Sequence, residues 1–268
     1  MHPPLRLLSP AAIAVALAGP TLRPAMAPET ATVVMAPDRP GADIVDDHYY
    51  RPPAWFFGHA TLYDQYPRSG PKVFVGEYAA HVRPPGRTDN WNVWQAGLAE
   101  AAFLTGLERN SDIVRMTAYA PLFAHTDAWQ WSPNLIWFDN LRSYATPSYY
   151  VQQAFAANRG TTVIPVTRDG KPLTGQDGLF ASAALGDRGD AIVKIVNAGD
   201  AAIPVRLEST IRASGTGRAT VIAAPLMAEN SLASPDAVKP IEEGLTVTDG
   251  VVERTLPAHS LTVLRLPR

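Results

Sequence analysis

Lys72-Val73-Phe74-Val75-Gly76-Glu77 is a continuous apolar run closed by a glycine and an acid. Continuous apolarity, as opposed to alternation, marks a strand buried on both faces of a parallel sheet. The run therefore predicts such a strand, ending at Glu77. Functional groups gather at the carboxyl ends of parallel strands, which makes Glu77 a candidate catalytic carboxylate. Gly76 before it lets the chain bend and a substrate come close. The competing reading is a strand-end glutamate paired with a neighbouring Arg or Lys.

Upstream, Ala42-Asp43-Ile44-Val45 reads as a short strand running directly into Asp46-Asp47-His48-Tyr49-Tyr50. Pro52-Pro53 opens a stretch in which Trp55, His59, Leu62, Tyr63 and Tyr66 follow three-four spacing, predicting a helix that stops before Pro67. Downstream, Asp89 reads as the N-cap of a long helix with Trp94, Leu98, Ala101, Ala102 and Thr105 on one face. Residues 113–120 read as a third strand, followed by a long loop carrying Trp129-Gln130-Trp131 and Trp137-Phe138-Asp139-Asn140. Thr146 and Pro147 give N-cap and first-turn signals for a helix over Tyr150, Val151, Ala154 and Phe155, closed near Gly160. Three strand-loop-helix units in succession imply parallel strands with helical crossovers.

Beyond Thr161 the helical period fades, and short β-rich runs recur at sandwich-like spacing: 191–196, 203–207, 219–222, 245–248, 251–256 and 261–266. Asp249-Gly250 between two of them is a hairpin-turn signal. The expected organisation is an extension over residues 1–40, an α/β segment over 41–160 and an all-β two-sheet sandwich over 161–268.

Apolar residues make up 46% of the 268-residue chain against 18% charged, enough to bury a core. A net charge of -2 gives no electrostatic footprint for nucleic acid. The absence of cysteine excludes disulfides, cysteine-ligated metals and cysteine nucleophiles. Within residues 1–40, the apolar stretch 7–17 is broken by Ser9 and Pro10 and is too short to span a bilayer, so no membrane segment is expected. It reads either as a signal peptide with Ala25-Met26-Ala27 as cleavage site, against which Pro28 counts, or as a disordered extension. Secretion or a periplasmic location stays open, and location is otherwise unknown.

His48 and Tyr49 end the preceding strand and are expected beside Glu77 on the same face. The histidine would hold the carboxylate ionised and the tyrosine hydroxyl would orient a carboxylate or sugar hydroxyl. The alternative for His48 is a histidine satisfied within a polar core. Trp129 and Trp131 offer a stacking wall and Gln130 an amide for sugar hydroxyls; the alternative is that the tryptophans pack the rim, which is the reading favoured for Trp137. The histidines show neither H-E-x-x-H nor a close carboxylate pairing, so no metal and no cofactor is expected.

The run Lys72-Val-Phe-Val-Gly-Glu-Tyr-Ala79 with Leu98-Ala-Glu-Ala-Ala-Phe-Leu-Thr-Gly-Leu-Glu-Arg-Asn-Ser111 resembles the C-terminal part of glycoside hydrolase family 51 α-L-arabinofuranosidases. The likeness continues through Tyr119-Ala-Pro-Leu-Phe-Ala-His125, Trp129-Gln-Trp131, Leu135-Ile-Trp-Phe-Asp-Asn140 and the run Leu256-Pro-Ala-His-Ser-Leu-Thr-Val-Leu-Arg-Leu266. Asp46-Asp-His-Tyr-Tyr50 resembles the end of the family's sixth barrel strand. The resemblance covers about residues 42–266.

It implies a partial (β/α)8 barrel, the last three strand-helix units, followed by a β-sandwich. The implied activity is retaining hydrolysis of terminal α-L-arabinofuranosyl groups from arabinose-containing polysaccharides. Glu77 would match the nucleophile. The family's acid/base, a glutamate after an asparagine on the fourth strand, has no counterpart here, since a complete barrel takes about 250 residues. A truncated form, or a complementing barrel chain, is therefore expected. Family 51 enzymes are often hexamers, so a homo-oligomer stays open. A reading from another class is a noncatalytic sugar-binding or interaction module built on the sandwich.

Overall fold

The computed structural model describes residues 13–17 and 42–268. In chain order these form β1 (Ile13–Leu17), β2 (Ile44–Arg51), α1 (Pro53–Gly58), β3 (Lys72–Ala80), α2 (Trp94–Arg109), β4 (Val114–Tyr119), β5 (Phe123–His125), β6 (Ile136–Phe138), β7 (Ser143–Ala145) and α3 (Pro147–Ala157). There follow β8 (Thr162–Ile164), β9 (Val166–Arg168), β10 (Lys171–Pro172), β11 (Leu179–Leu185), β12 (Ala191–Asn197), β13 (Ile203–Ser209), β14 (Gly215–Ala223), β15 (Ile241–Val247), β16 (Val251–Leu256) and β17 (Ser260–Leu266). The described residues are β-rich with few helices, and no closed barrel forms among them.

β2, β3 and β4 make a three-stranded parallel sheet with β3 in the centre, connected through α1 and α2. One face is covered: Val73, Val75 and Tyr78 of β3 pack with Phe56, Phe103 and other helix residues in one core. The helix expected over the Trp55 to Tyr66 spacing stops at Gly58. The chain continues in turns to Tyr66, whose periodic side chains still pack inward. Arg109 at the end of α2 grips that turn segment through the Asp64 carboxylate (2.8 Å) and the Ala60 carbonyl (2.8 Å).

α2 begins at Trp94, later than Asp89 suggests, because its first N–H groups are capped from elsewhere in the chain. Trp94 N donates to the Ala228 carbonyl and Gln95 N to the Leu226 carbonyl, each at 2.8 Å. α3 starts where its local signals put it, with the Thr146 side chain accepting from Tyr149 N at 3.3 Å and Pro147 in the first turn.

β5, β6 and β7 form a small three-stranded sheet, and the remaining strands form a six-stranded sheet, β15-β14-β17-β12-β11-β8, and a five-stranded sheet, β10-β9-β1-β13-β16. Val205, Leu207, Val252 and Leu256 from one meet Ala181, Val193, Ile195 and Leu264 from the other in a shared core. Ile13–Leu17, inside the stretch read as an extension, is a strand here, antiparallel to β13 and parallel to β9. The candidate cleavage site at 25–27 lies outside the described residues. The Asp249-Gly250 turn forms with positive φ at both residues (48° and 76°), but β15 and β16 then part to opposite sheets. Gly250 is needed there: its N–H donates to the Ala213 carbonyl (2.7 Å), and a Cβ would sit 2.6 Å from the Ile211 carbonyl oxygen.

Candidate active site

Glu77 lies inside β3, which runs on to Ala80, so the strand continues past the residue expected to end it. A register shift decides where its side chain points. Asp47 is paired with Val75, but His48 is paired with Glu77, leaving Gly76 as an extra residue. In a strand, side chains alternate, and one inserted residue exchanges the faces of everything after it. Without the bulge Glu77 would face the helices; with it, Glu77 points to the bare face and Tyr78 turns inward, where its hydroxyl donates to Gln152 Oε1 at 2.6 Å. A glycine at the bulge leaves room for the Asp46 side chain, which any larger residue would displace. A Cβ at Gly76 would lie 2.1 Å from Asp46 Oδ1, the atom that accepts the Gly76 N–H at 3.1 Å.

On the bare face the carboxylate of Glu77 accepts the Tyr50 hydroxyl at 2.7 Å, and His48 Nδ1 lies 3.7 Å from the same oxygen. His48 Nε2 bonds Asp46 Oδ2 at 3.0 Å, so the imidazole stands between two carboxylates. Desolvation, then the hydrogen bond and charge of Glu77, push the Tyr50 phenol well above its ordinary range, which keeps it a neutral donor. Glu77 remains 44% exposed, open to a ligand from that side.

Tyr50 is the aromatic partner of Glu77, and this corrects the expectation for Tyr49. Consecutive residues of a strand face opposite ways, so His48 and Tyr49 cannot share a face. Tyr49 stacks on Trp55 at 4.9 Å on the helix side, with its hydroxyl bonded to Asp47 (3.1 Å) and Tyr63 (2.9 Å). The spacing Asp46, His48, Tyr50 at i, i+2, i+4 was the sequence signal that identifies the correct trio.

The loop between β5 and β6 divides the tryptophan group. Trp131, 47% exposed, meets the Tyr50 ring at 5.6 Å and the His81 ring at 5.7 Å, and Tyr50 stacks on His81 at 5.5 Å. Trp129 instead joins Trp91 and Trp137 in a separate aromatic cluster, with centroids at 6.0 and 5.8 Å. Gln130 is exposed between them. Trp131 is held by contacts that sequence reasoning did not single out. Its carbonyl accepts from Asn134 Nδ2, Asn134 N donates to Asn92 Oδ1 (2.9 Å), and Asn92 Nδ2 donates to the Tyr119 hydroxyl (2.8 Å).

His81 was likewise missed; it follows β3 directly, its N–H donates to the Arg51 carbonyl at 2.8 Å, and burial lowers its pKa. Behind it, Glu100 of α2 is fully buried and accepts the Ala80 N–H at 2.9 Å, with its pKa pushed up to about 8 by desolvation. Among the described residues no group of three or more His, Cys, Asp or Glu is placed to hold a metal ion, and no helix is long and apolar enough to cross a membrane.

Chemically, the arrangement offers two exposed carboxylates, Glu77 and Asp46, with the His48 imidazole between them, a phenol bonded to Glu77 and an exposed indole nearby. An exposed carboxylate can attack an electrophilic carbon or stabilise a developing positive charge. The residues that bond or pair with Glu77, Tyr50 and His48, supply no second carboxyl directly.

Residues 76–260 match the family profile described as the alpha-L-arabinofuranosidase C-terminal domain. The chain is 36% identical over 230 residues to alpha-L-arabinofuranosidase 1 of Arabidopsis thaliana, covering 82% of this chain and 33% of that protein. It is 46% identical over 142 residues to an extracellular exo-alpha-L-arabinofuranosidase of Streptomyces chartreusis, covering 51% of this chain and 16% of that one. Among solved structures, an arabinose-bound GH51 α-L-arabinofuranosidase superposes with a TM-score of 0.77 at 32% identity, covering 84% of this chain and 37% of the other. The chain spans about a third or less of the length of these curated relatives.

Proposed function

The chain belongs to the α-L-arabinofuranosidase C-terminal domain family, and from that premise we propose that it is the nucleophile-bearing portion of a retaining α-L-arabinofuranosidase. On this reading β2, β3 and β4 with their helices are the last three strand-helix units of a (β/α)8 barrel, joined near residue 160 to the sandwich. The bond from Tyr50 to Glu77 on the bare sheet face is the observation that carries the reading.

Glu77 attacks the anomeric carbon of a terminal α-L-arabinofuranosyl group, the glycosidic oxygen departs, and an ester joins sugar and enzyme until water hydrolyses it. Tyr50 and His48 hold the carboxylate in line, and Trp131 walls the sugar site. Protonating the leaving oxygen requires a second carboxyl about 5 to 5.5 Å from the first. We assign that acid/base, and the other barrel strands, to polypeptide outside these 268 residues. The substrate class is an arabinose-containing polysaccharide or oligosaccharide.

A leaving group that departs without a proton separates the two carboxyl roles. Incubating the chain with an activated aryl α-L-arabinofuranoside should label Glu77 slowly, read by peptide mass mapping, while natural arabinan is not turned over. Glu77→Gln should abolish the label. Labelling that survives this substitution, or robust arabinan hydrolysis by the chain alone, would sink the reading.

A further inference from the structure

We propose that the sandwich carries a binding site apart from Glu77, an arginine-lined cleft that takes an acidic sugar, a uronate unit. The cleft has a volume of about 460 Å³ and is framed by Arg188, Asp190, Thr216, Arg218, Arg265 and Arg268. That volume is within the range of sites for small ligands.

Arg218 and Arg265 are direct cross-strand partners in the pairing of β14 with β17. Like charges opposite one another destabilise a sheet, so each needs compensation, and each has it: Arg218 pairs with Glu242 and Arg265 with Asp190, both at 3.2 Å. Arg265 is further pinned to the carboxyl end of α3, donating to Asn158 Oδ1 (2.7 Å) and the Ala157 carbonyl (3.0 Å). Arg188 and Arg268 are exposed and have no carboxylate partner among the described residues. The cleft thus presents two uncommitted guanidinium groups on a rigid floor, in a chain whose net charge is -2.

The rest of the lining selects the ligand. A guanidinium binds carboxylate and phosphate alike. Asp190, already paired with Arg265, opposes a doubly charged phosphate more strongly than a singly charged carboxylate, Thr216 can bond sugar hydroxyls, and Leu266 and Pro267 supply an apolar wall for a ring. A carboxylate on a hydroxylated ring satisfies both halves of the cleft. The site is separate from Glu77. α3 has 11 residues, about 16 Å at 1.5 Å per residue, and the cleft lies at its carboxyl end, away from the Trp131 loop that precedes its start. The inference does not depend on the catalytic reading.

Titrating trigalacturonate into the chain at low salt, followed by calorimetry and by NMR of the arginine side-chain N–H groups, tests it. Saturable binding should perturb the cleft arginines, and Arg188→Gln with Arg268→Gln should weaken it by about tenfold or more, as expected for lost charge-assisted bonds. Both residues are exposed, so the thermal midpoint should not move, which separates lost binding from lost fold. The proposal is overturned if trigalacturonate does not bind, if inorganic phosphate or neutral arabinotriose binds as tightly, or if the double variant binds like the parent.

Discussion

α2 and α3 are shared by two sheets that differ in what lies on their far side. The six-stranded sheet packs Phe180, Ile192, Val196, Leu261 and Val263 against the helices and its opposite face against the five-stranded sheet. The parallel sheet covers one face with the same helices and leaves Asp46, His48, Glu77 and Met116 on an open one. The first sheet is closed on both sides and holds the chain together. Among the described residues the second is open on one side, and that side carries the candidate chemistry. α2, with nearly every residue buried, is a core element of both sheets, while the sandwich keeps a second core between its two sheets in which α2 takes no part.

The closed side also holds a buried ion pair. Lys194 of β12 is fully buried and bonds Glu108 at the end of α2 and the Asn158 carbonyl (2.7 Å) at the end of α3. Desolvation lowers the Lys194 pKa, and Glu108 opposes that shift. Glu108→Ala would strand the ammonium without its carboxylate, which costs about 3 to 5 kcal/mol. Denaturant unfolding should show that loss as one cooperative shift. A second, separate transition for the parallel-sheet region would instead break the idea of a shared helix layer.

The features legible in the sequence are those set by local chemistry. Thr146-Pro147 starts α3, Asp249-Gly250 turns, and β16 has the bounds its apolar run suggests. β13 alternates buried and exposed residues because one side of its sheet meets solvent. β11 was not foreseen. Its Leu-Phe-Ala-Ser-Ala-Ala-Leu run is weak in β-branched residues, and it is a strand because both faces are covered by distant parts of the chain. The start of α2 was misplaced for the same reason, since its caps are carbonyls more than a hundred residues away. In the site, the strand that carries Glu77 was legible, but not that it runs on to Ala80 or that a bulge turns Glu77 to the bare face. A bulge is a property of two strands, and reading β3 alone gives no register.

On the open side of the helix layer the buried charge has no cationic partner. Glu100 accepts the Ala80 N–H and has the Ser148 hydroxyl beside it, yet desolvation outweighs both and raises its pKa from 4.5 to about 8. A raised carboxyl pKa means the folded state binds the proton more tightly than the unfolded chain. Stability from this group is therefore full below pH 4.5 and declines as pH rises towards about 8. The decline should be on the order of a few kcal/mol. Glu100→Gln keeps an acceptor for Ala80 and removes the titration. Thermal midpoints measured across that window should fall for the parent and stay level for the variant. Equal slopes would remove Glu100 as the cause.

The smallest effect belongs to the bare face itself. Ile44 and Met116, on the two outer strands of the parallel sheet, are each 46% exposed. Open edges and exposed apolar side chains on a sheet invite association with another chain. If nothing in this chain covers them, Ile44→Ser with Met116→Ser removes little buried surface and should change stability by no more than about 0.5 kcal/mol, as for surface sites generally. Its effect should be on self-association, with the sedimentation profile moving towards monomer at high protein concentration. A loss of several kcal/mol would mean that the face is covered by the chain's own residues, and the contrast between a closed sheet and an open one would fail at its simplest point. An unchanged stability with an unchanged profile would place any self-association elsewhere, leaving the face free for the barrel strands assigned to it.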